Sequence, residues 1–109
     1  MEIDEIRDYC LTLGDVSEHF PFDDDTLVFK TNGKMFVLIS LSEQTVNLKC
    51  DPELAVELRE TYSYVIPGYH MNKKHWNTIL EASKVPNNQL KEWINYSYRL
   101  VSGKDRYKK

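Results

Sequence analysis

The dipeptide Asn32-Gly33 joins two runs of β-branched and aromatic residues, Thr26–Thr31 and 34–41. Two such runs joined by Asn-Gly are the strongest short-range signal for a β-hairpin, because Asn and Gly tolerate the positive φ angles of the tight turn. A third run of the same kind, 45–50, extends the hairpin into a meander. The sequence therefore predicts a core built on an antiparallel sheet.

Alternation along these strands assigns side chains to two faces, since successive residues of a strand point to opposite sides. Four apolar residues are expected to face the core: Leu27, Phe29, Val46 and Leu48. Lys30 shares a face with Val28, and Lys49 shares one with Asn47, so both lysines are expected on the opposite side. Lysines on an open sheet face often serve solubility alone, and this interpretation stays open beside a binding role.

Helices are predicted before and after the meander in the sequence. Apolar residues recur every three or four positions from Ile3 to Leu13, and Gly14 ends that segment. Asp51 is a good N-cap, with Pro52 at the first helical position of a helix that ends near residue 61. A last helix, capped by Asn87 or Asn88, ends at Gly103 and carries a stripe of apolar residues, Leu90, Trp93, Ile94, Tyr98 and Val101.

Two further strands, 64–66 and 75–80, lie between the second and last helices. In the second of them, Trp76 and Thr78 alternate with Asn77 and Ile79. Helix, several antiparallel strands, helix, two strands and helix is the order of an α+β two-layer sandwich, with helices on one sheet face and the other face partly open. We expect residues 1–103 to form a single domain, followed by a basic tail, 104–109.

Charge is distributed unevenly along the chain. Residues 1–60 carry 14 acidic and 5 basic side chains, whereas residues 61–109 carry 3 acidic and 9 basic ones, for a net charge of −3. Such asymmetry indicates an anionic partner for the basic half, although a solvated basic helix would look the same. The segment from Lys73 to His75 combines ammonium and imidazole donors that suit phosphate oxygens. The Asp23-Asp24-Asp25 run lacks the pattern of a calcium loop and predicts a solvated acidic loop.

Signatures of catalysis and of metal binding are missing from the sequence. The four glycines form neither a phosphate loop nor a dinucleotide fingerprint. Cys10 and Cys50 have no metal or redox spacing and are expected to be reduced, although a Cys–His pair formed by the fold stays open. His70 and His75 lack a third ligand nearby. We therefore expect no enzyme activity, no cofactor and no metal.

Targeting signals and membrane segments are also missing. The acidic N-terminus lacks the basic and apolar regions of a signal peptide. No apolar run approaches the roughly 20 residues of a membrane-spanning helix. The sequence predicts a cytoplasmic protein with no membrane partner.

Several segments together resemble the MmcQ/YjbR family of small bacterial proteins. They are Phe29-Lys30, Gly33-Lys34-Met35-Phe36, residues 47–52, residues 67–77 and residues 97–101, in order and with suitable spacing. The resemblance runs from about residue 3 to residue 103, and the motif from His70 to Trp76 is its most specific part. It implies a CyaY-like (frataxin-like) sandwich and DNA binding, and it supplies no catalytic residues.

Three functional hypotheses follow. The first is DNA binding through phosphate contacts from nine residues: Lys30, Lys34, Lys49, His70, Asn72, Lys73, Lys74, His75 and Asn77. A pI near 5.6 weighs against it. The second is a protein- or small-ligand-binding groove lined by Tyr62, Tyr64, Tyr69 and Trp76, without nucleic acid. The third is iron binding by an acidic ridge formed by Glu2, Asp4, Glu5, Asp8, Asp15 and Glu18.

Overall fold

A computed structural model describes residues 1–69 and 71–103 of the 109-residue chain. Predictions about His70 and the tail 104–109 thus lie outside the described residues. The elements are α1 (Ile3–Leu11), β1 (Val16–His19), β2 (Thr26–Thr31), β3 (Lys34–Ser40), β4 (Thr45–Lys49), α2 (Pro52–Thr61), β5 (Val65–Pro67), β6 (Trp76–Ile79), a 3₁₀ turn (Ala82–Lys84) and α3 (Asn87–Ser102). Their order confirms the predicted α+β class.

One six-stranded sheet holds all these strands in the order β1-β2-β3-β4-β6-β5, and every neighbouring pair is antiparallel. The predicted hairpin joins β2 to β3, and both turn residues, Asn32 and Gly33, have positive φ. Strand β6 lies between β4 and β5, so the later strands extend the meander beyond its third strand. A bulge shifts the β2–β3 register between Phe29 and Lys30.

The three helices cover one face of the sheet, as predicted. Helix α3 packs across β2, β3 and β4, α2 packs on β5 and β6, and α1 packs beside β1. The core between the layers includes the predicted strand residues Leu27, Phe29, Val46 and Leu48 and the predicted helix residues Leu90, Trp93, Ile94, Tyr98 and Val101. Apolar periodicity therefore identified these residues of the core correctly.

The buried Ser97 of α3 completes the hydrogen bonding of the sheet near the bulge. Its Oγ donates to the Phe36 carbonyl at 2.6 Å and accepts from the Lys49 N–H at 3.0 Å. These two backbone groups belong to the neighbouring strands β3 and β4. A side chain of the helix layer thus satisfies two buried sheet groups that would otherwise lack partners.

Helix ends depart from the predictions by a few residues. Helix α1 ends at Leu11, earlier than Leu13, and begins with a capping box between Glu2 and Glu5. At α3 the N-cap position belongs to Pro86, so the prediction that Asn87 or Asn88 caps this helix was wrong. The Asp51 cap of α2 was predicted correctly: its carboxylate accepts from the N–H groups of Glu53 and Leu54.

Candidate binding surface

The sheet face that the helices leave uncovered, called the open face below, carries the candidate site. One row of paired residues crosses it from β1 to β5: His19, Val28, Leu38, Asn47, Thr78 and Ile66. Cross-strand partners share a face, which fixes the orientation of the whole row. Lys30 and Lys49 lie on this face at one end of their strands, as the alternation predicted.

A small apolar cluster occupies the middle of the open face. Val28, Leu38 and Trp76 are buried there, and the partly buried Met35 and Met71 pack against them. Met71 belongs to the loop between β5 and β6, so this loop folds back over the sheet. The cluster buries apolar surface on the face that has no helices, which stabilises the loop against the strands.

Gly68 starts this loop at a position where a side chain would not fit. A Cβ at residue 68 would lie 2.8 Å from the Cβ and 2.9 Å from the carbonyl oxygen of Trp76. The close approach allows the Gly68 N–H to donate to the Trp76 carbonyl at 2.8 Å. Farther into the sheet, the Tyr69 N–H donates to Thr78 Oγ1, which donates in turn to Asn47 Oδ1.

Two further polar side chains, Asn72 and Lys73, hold the loop itself. Asn72 Oδ1 accepts from the Lys74 N–H at 2.9 Å, and the Lys73 ammonium donates to the Gly68 carbonyl at 3.0 Å. Arg59 of α2 donates to the Lys73 carbonyl at 2.9 Å. Two predicted DNA contacts, Asn72 and Lys73, therefore have structural roles within the loop.

The lysine end of the open face is defined by Lys30 and Lys49, and Lys74 lies in the turn beside it. Met35 pairs with Lys30 and Trp76 pairs with Lys49, which places both lysines on the same end of the sheet. Lys74 precedes Trp76 by two residues and is exposed. Among the residues that the structure describes, none of these three lysines forms an ion pair.

Lys34 and Asn77 of the predicted DNA-contact set lie away from the open face. Lys34 pairs with the buried Thr31, so the register turns it toward the helix-covered side of the hairpin. Asn77 is 2% exposed and donates from Nδ2 to the Ala55 carbonyl, so its predicted role as a contact residue was wrong. His75 is half-buried, and its carbonyl accepts from the Cys50 N–H.

A hollow of about 510 Å³ opens at the opposite end from the lysines and extends along the same face as far as Met35, the partner of Lys30. Leu38, Met35 and Met71 line its base, and the exposed aromatic rings of Phe22 and Tyr69 flank it. A second hollow of about 310 Å³ adjoins it and includes Ile66, Thr78 and Leu80. The two hollows share Glu43, Thr45 and Tyr69, and we call them together the carboxylate groove.

Carboxylates line one side of this groove. Asp23 and Asp25 come from the β1–β2 connection, and Glu43 comes from the β3–β4 connection. Asp25 accepts from the Ser40 and Ser42 hydroxyls and the Ser42 N–H, so it joins the two connections. The predicted solvated acidic loop is thus an ordered side of a groove, and only the proximity of two distant loops reveals it.

Backbone hydrogen bonds hold the Asp23 carboxylate in place. Its Oδ1 accepts from the N–H groups of Thr26 at 2.7 Å and Asp25 at 2.9 Å. These bonds lower the pKa of Asp23 below its usual value, with the Thr26 N–H contributing most. Asp23 therefore keeps its negative charge to a lower pH than an ordinary aspartate would.

The predicted aromatic groove does not form from its four residues. Tyr62 and Tyr64 pack against Trp93 of α3, in the helix layer. Tyr69 lies on the open face, and Trp76 is buried beneath the loop there. An aromatic-flanked groove exists on the open face, but Phe22, which the sequence patterns did not indicate, contributes the second ring.

The acidic residues of α1 and β1 do not converge on a metal site. Glu2 and Glu5 are engaged in the capping box, and Glu18 forms a bidentate ion pair with Arg7. Within residues 1–69 and 71–103, no group of three or more His, Cys, Asp or Glu side chains could hold a metal ion.

Both cysteines are buried free thiols on the helix-covered side of the molecule. Burial raises the pKa of Cys10 to about 12 and, as the main cause, the pKa of Cys50 to about 11. Thiols with such values carry little thiolate at neutral pH, which makes them poor nucleophiles.

Comparison with known proteins supports the family resemblance. The family model YjbR matches residues 11–100. The chain belongs to the YjbR family. YjbR-family relatives include the uncharacterised protein YjbR of Escherichia coli K12, which is 31% identical over 101 residues, 91% of this chain and 86% of that protein. The uncharacterised protein YbdF of Escherichia coli O157:H7 is 38% identical over 84 residues, 75% of this chain and 69% of the relative.

Solved structures share the YjbR-family fold. The crystal structure of Deinococcus radiodurans protein DR2400, a DUF419 domain, matches with a TM-score of 0.86 at 40% identity. The match covers 93% of this chain and 78% of the DR2400 chain. A crystal structure of a Pseudomonas syringae protein matches with a TM-score of 0.78 at 27% identity. This match covers 93% of this chain and 99% of the Pseudomonas chain. Among the described residues of this YjbR-family chain, no helix is long and apolar enough to span a bilayer.

Proposed function

We propose that this YjbR-family chain is a non-catalytic binding protein that contacts the phosphate backbone of DNA through the lysine end of its open face. The observation that carries the proposal is the pair of half-buried lysines, Lys30 and Lys49, on one uncovered face without ion-pair partners among the described residues. Lys74, two residues before the Trp76 that pairs with Lys49, adds a third exposed ammonium near this end of the sheet.

Spacing and surroundings favour a role for these lysines beyond solubility. One strand, β3, separates Lys30 from Lys49, so their backbones lie roughly 10 Å apart. The carboxylates lining the groove lie at the other end of the strands, so phosphates held by the lysines need not approach them. The side chain between the two lysines is the apolar Met35, so this position adds no carboxylate that would compete with phosphate for the ammonium groups.

Phosphate recognition of this kind predicts that the affinity for DNA depends strongly on salt concentration and little on the base sequence. Each phosphate contact releases condensed counterions, so three contacts are expected to weaken binding about fortyfold between about 50 and about 200 mM salt. No helix reaches the open face in the described structure, so we expect no reading of base edges in the major groove.

A charge-matched pair of variants tests the proposal. Binding of a short fluorescein-labelled duplex is measured by anisotropy at both salt concentrations. Lys30→Gln/Lys49→Gln is expected to weaken binding at low salt at least about tenfold and to flatten the salt dependence. Lys84→Gln/Lys91→Gln removes the same charge from the helix side and is expected to change binding less than about twofold.

Two results would overturn DNA binding at this surface. One is a wild-type protein that binds no duplex at either salt concentration. The other is an equal loss in the two double variants, because it would assign binding to net charge and not to the lysine end.

A further inference from the structure

We infer that the carboxylate groove is a second binding site, which accepts an extended peptide segment with alternating basic and apolar side chains. This site uses residues other than the lysines, and the inference does not rest on DNA binding. Its occupant follows from the length, the charge and the apolar base of the groove.

The length of the groove suits an extended peptide better than a compact small molecule. Its lining runs from Thr26 on β2 to Ile66 on β5, across five neighbouring strands. Four interstrand spacings of about 4.8 Å make this distance roughly 19 Å. An extended chain advances about 3.3 Å per residue, so about five or six residues would fill the groove.

Charge complementarity favours a basic segment. Asp23, Asp25 and Glu43 line the groove, and no basic side chain among the described residues lines either hollow. Hydrogen bonds hold Asp23 and Asp25 in place, so a bound cation need not order them. The exposed Glu43 side chain, in contrast, serves no hydrogen bond of the described structure and is available for a ligand.

The apolar parts of the groove favour hydrophobic side chains between the basic ones. Leu38, Met35 and Met71 line its base, and Phe22 and Tyr69 expose 64% and 56% of their surfaces beside it. Exposed aromatic residues next to a groove are frequent anchors of protein interfaces. Because neighbouring side chains of an extended peptide point in opposite directions, basic and apolar residues in alternation would reach both linings.

The probe is a labelled hexapeptide, acetylated and amidated, of sequence Lys-Leu-Arg-Leu-Lys-Leu, measured by fluorescence anisotropy. A peptide of equal composition with its basic and leucine residues in separate blocks tests the alternation. A third peptide with Glu at the basic positions tests the charge. We expect the alternating peptide to bind at least about tenfold more tightly than either comparator.

Matched variants locate the site. Phe22→Ala/Glu43→Gln is expected to weaken binding of the alternating peptide about tenfold, because it removes an exposed ring and an exposed carboxylate that serve no other element. Phe20→Ala/Glu92→Gln makes the same chemical changes outside the groove and is expected to leave the affinity unchanged. Urea denaturation of both variants verifies that each is folded.

Failure of this site is separable from failure of DNA binding. Lys30→Gln/Lys49→Gln is expected to retain peptide affinity within about twofold, since the lysines do not line the groove. Equal affinity for the alternating and block peptides would overturn the inference. So would equal losses in the two Phe/Glu double variants, or no binding of the alternating peptide by the wild-type protein.

Discussion

The two faces of the sheet differ in how completely they are covered. On the helix side, side chains from all three helices and the strands form one continuous core. Among the described residues of the open face, only Val28, Leu38 and Trp76 form a buried apolar cluster, under two methionines. The two faces therefore have different roles. The covered face provides most of the stability, and the open face displays charge and grooves that the fold itself does not require.

The largest expected effect comes from two neighbouring residues of β3 that point to opposite faces. Ile39→Ala is expected to cost about 3–4 kcal/mol of unfolding free energy, because this side chain is fully buried beneath the helices. Leu38→Ala is expected to cost about 2 kcal/mol, because flexible methionines border its site and part of the cavity can collapse. Urea denaturation measures both. Equal losses would show that the open-face cluster is packed as tightly as the core.

A smaller effect is expected where the two layers meet at Ser97. Ser97→Ala leaves the buried Phe36 carbonyl and Lys49 N–H without their shared partner, at an expected cost of about 2 kcal/mol. Hydrogen exchange of the Lys49 amide should accelerate in the same variant. Ser83→Ala, at an exposed position, is the control and is expected to cost less than about 0.5 kcal/mol. Unchanged exchange at Lys49 would contradict the bridging role.

The smallest expected effect is the pH-dependent contribution of one open-face carboxylate, Asp23, to the free energy of unfolding. Because the pKa of Asp23 is lowered in the folded state, its stabilising contribution is present at neutral pH and is lost as pH falls through that lowered pKa. Asp23→Asn should therefore lower the urea midpoint at pH 7 and have little effect once the pH is below that lowered pKa. Asp24→Asn is the control, and a deficit that persists in acid would contradict this assignment.

Local patterns predicted most of the fold. The Asn-Gly turn and strand alternation identified the hairpin, the core residues and the face that carries Lys30 and Lys49. The bulge escaped prediction: simple alternation places Phe36 and Leu38 on one face, whereas Phe36 lies in the main core and Leu38 in the open-face cluster. An extra residue in one strand reverses the faces of the residues beyond it, and its position depends on the packing of the partner strand and of α3.

The binding surface was harder to predict than the fold, because its parts meet only in three dimensions. Asn77 is polar and lies in a loop-flanked strand, yet α2 buries it. The carboxylate groove depends on contact between two loops, with Asp25 joined to Ser40 and Ser42. No local periodicity carries that information, since it arises from sequence separations of 15 and 17 residues.

The bridge made by Ser97 also has a consequence for how the chain is completed during synthesis. Strands β3 and β4 emerge from the ribosome well before α3, which comes later in the sequence, after α2, β5 and β6. Until α3 has emerged and docked, the Phe36 carbonyl and the Lys49 N–H lack the hydroxyl that joins them. Before α3 docks, direct pairing of β3 with β4 therefore reaches only to the Val37–Leu48 pair, and the final helix adds the hydroxyl bridge beyond it.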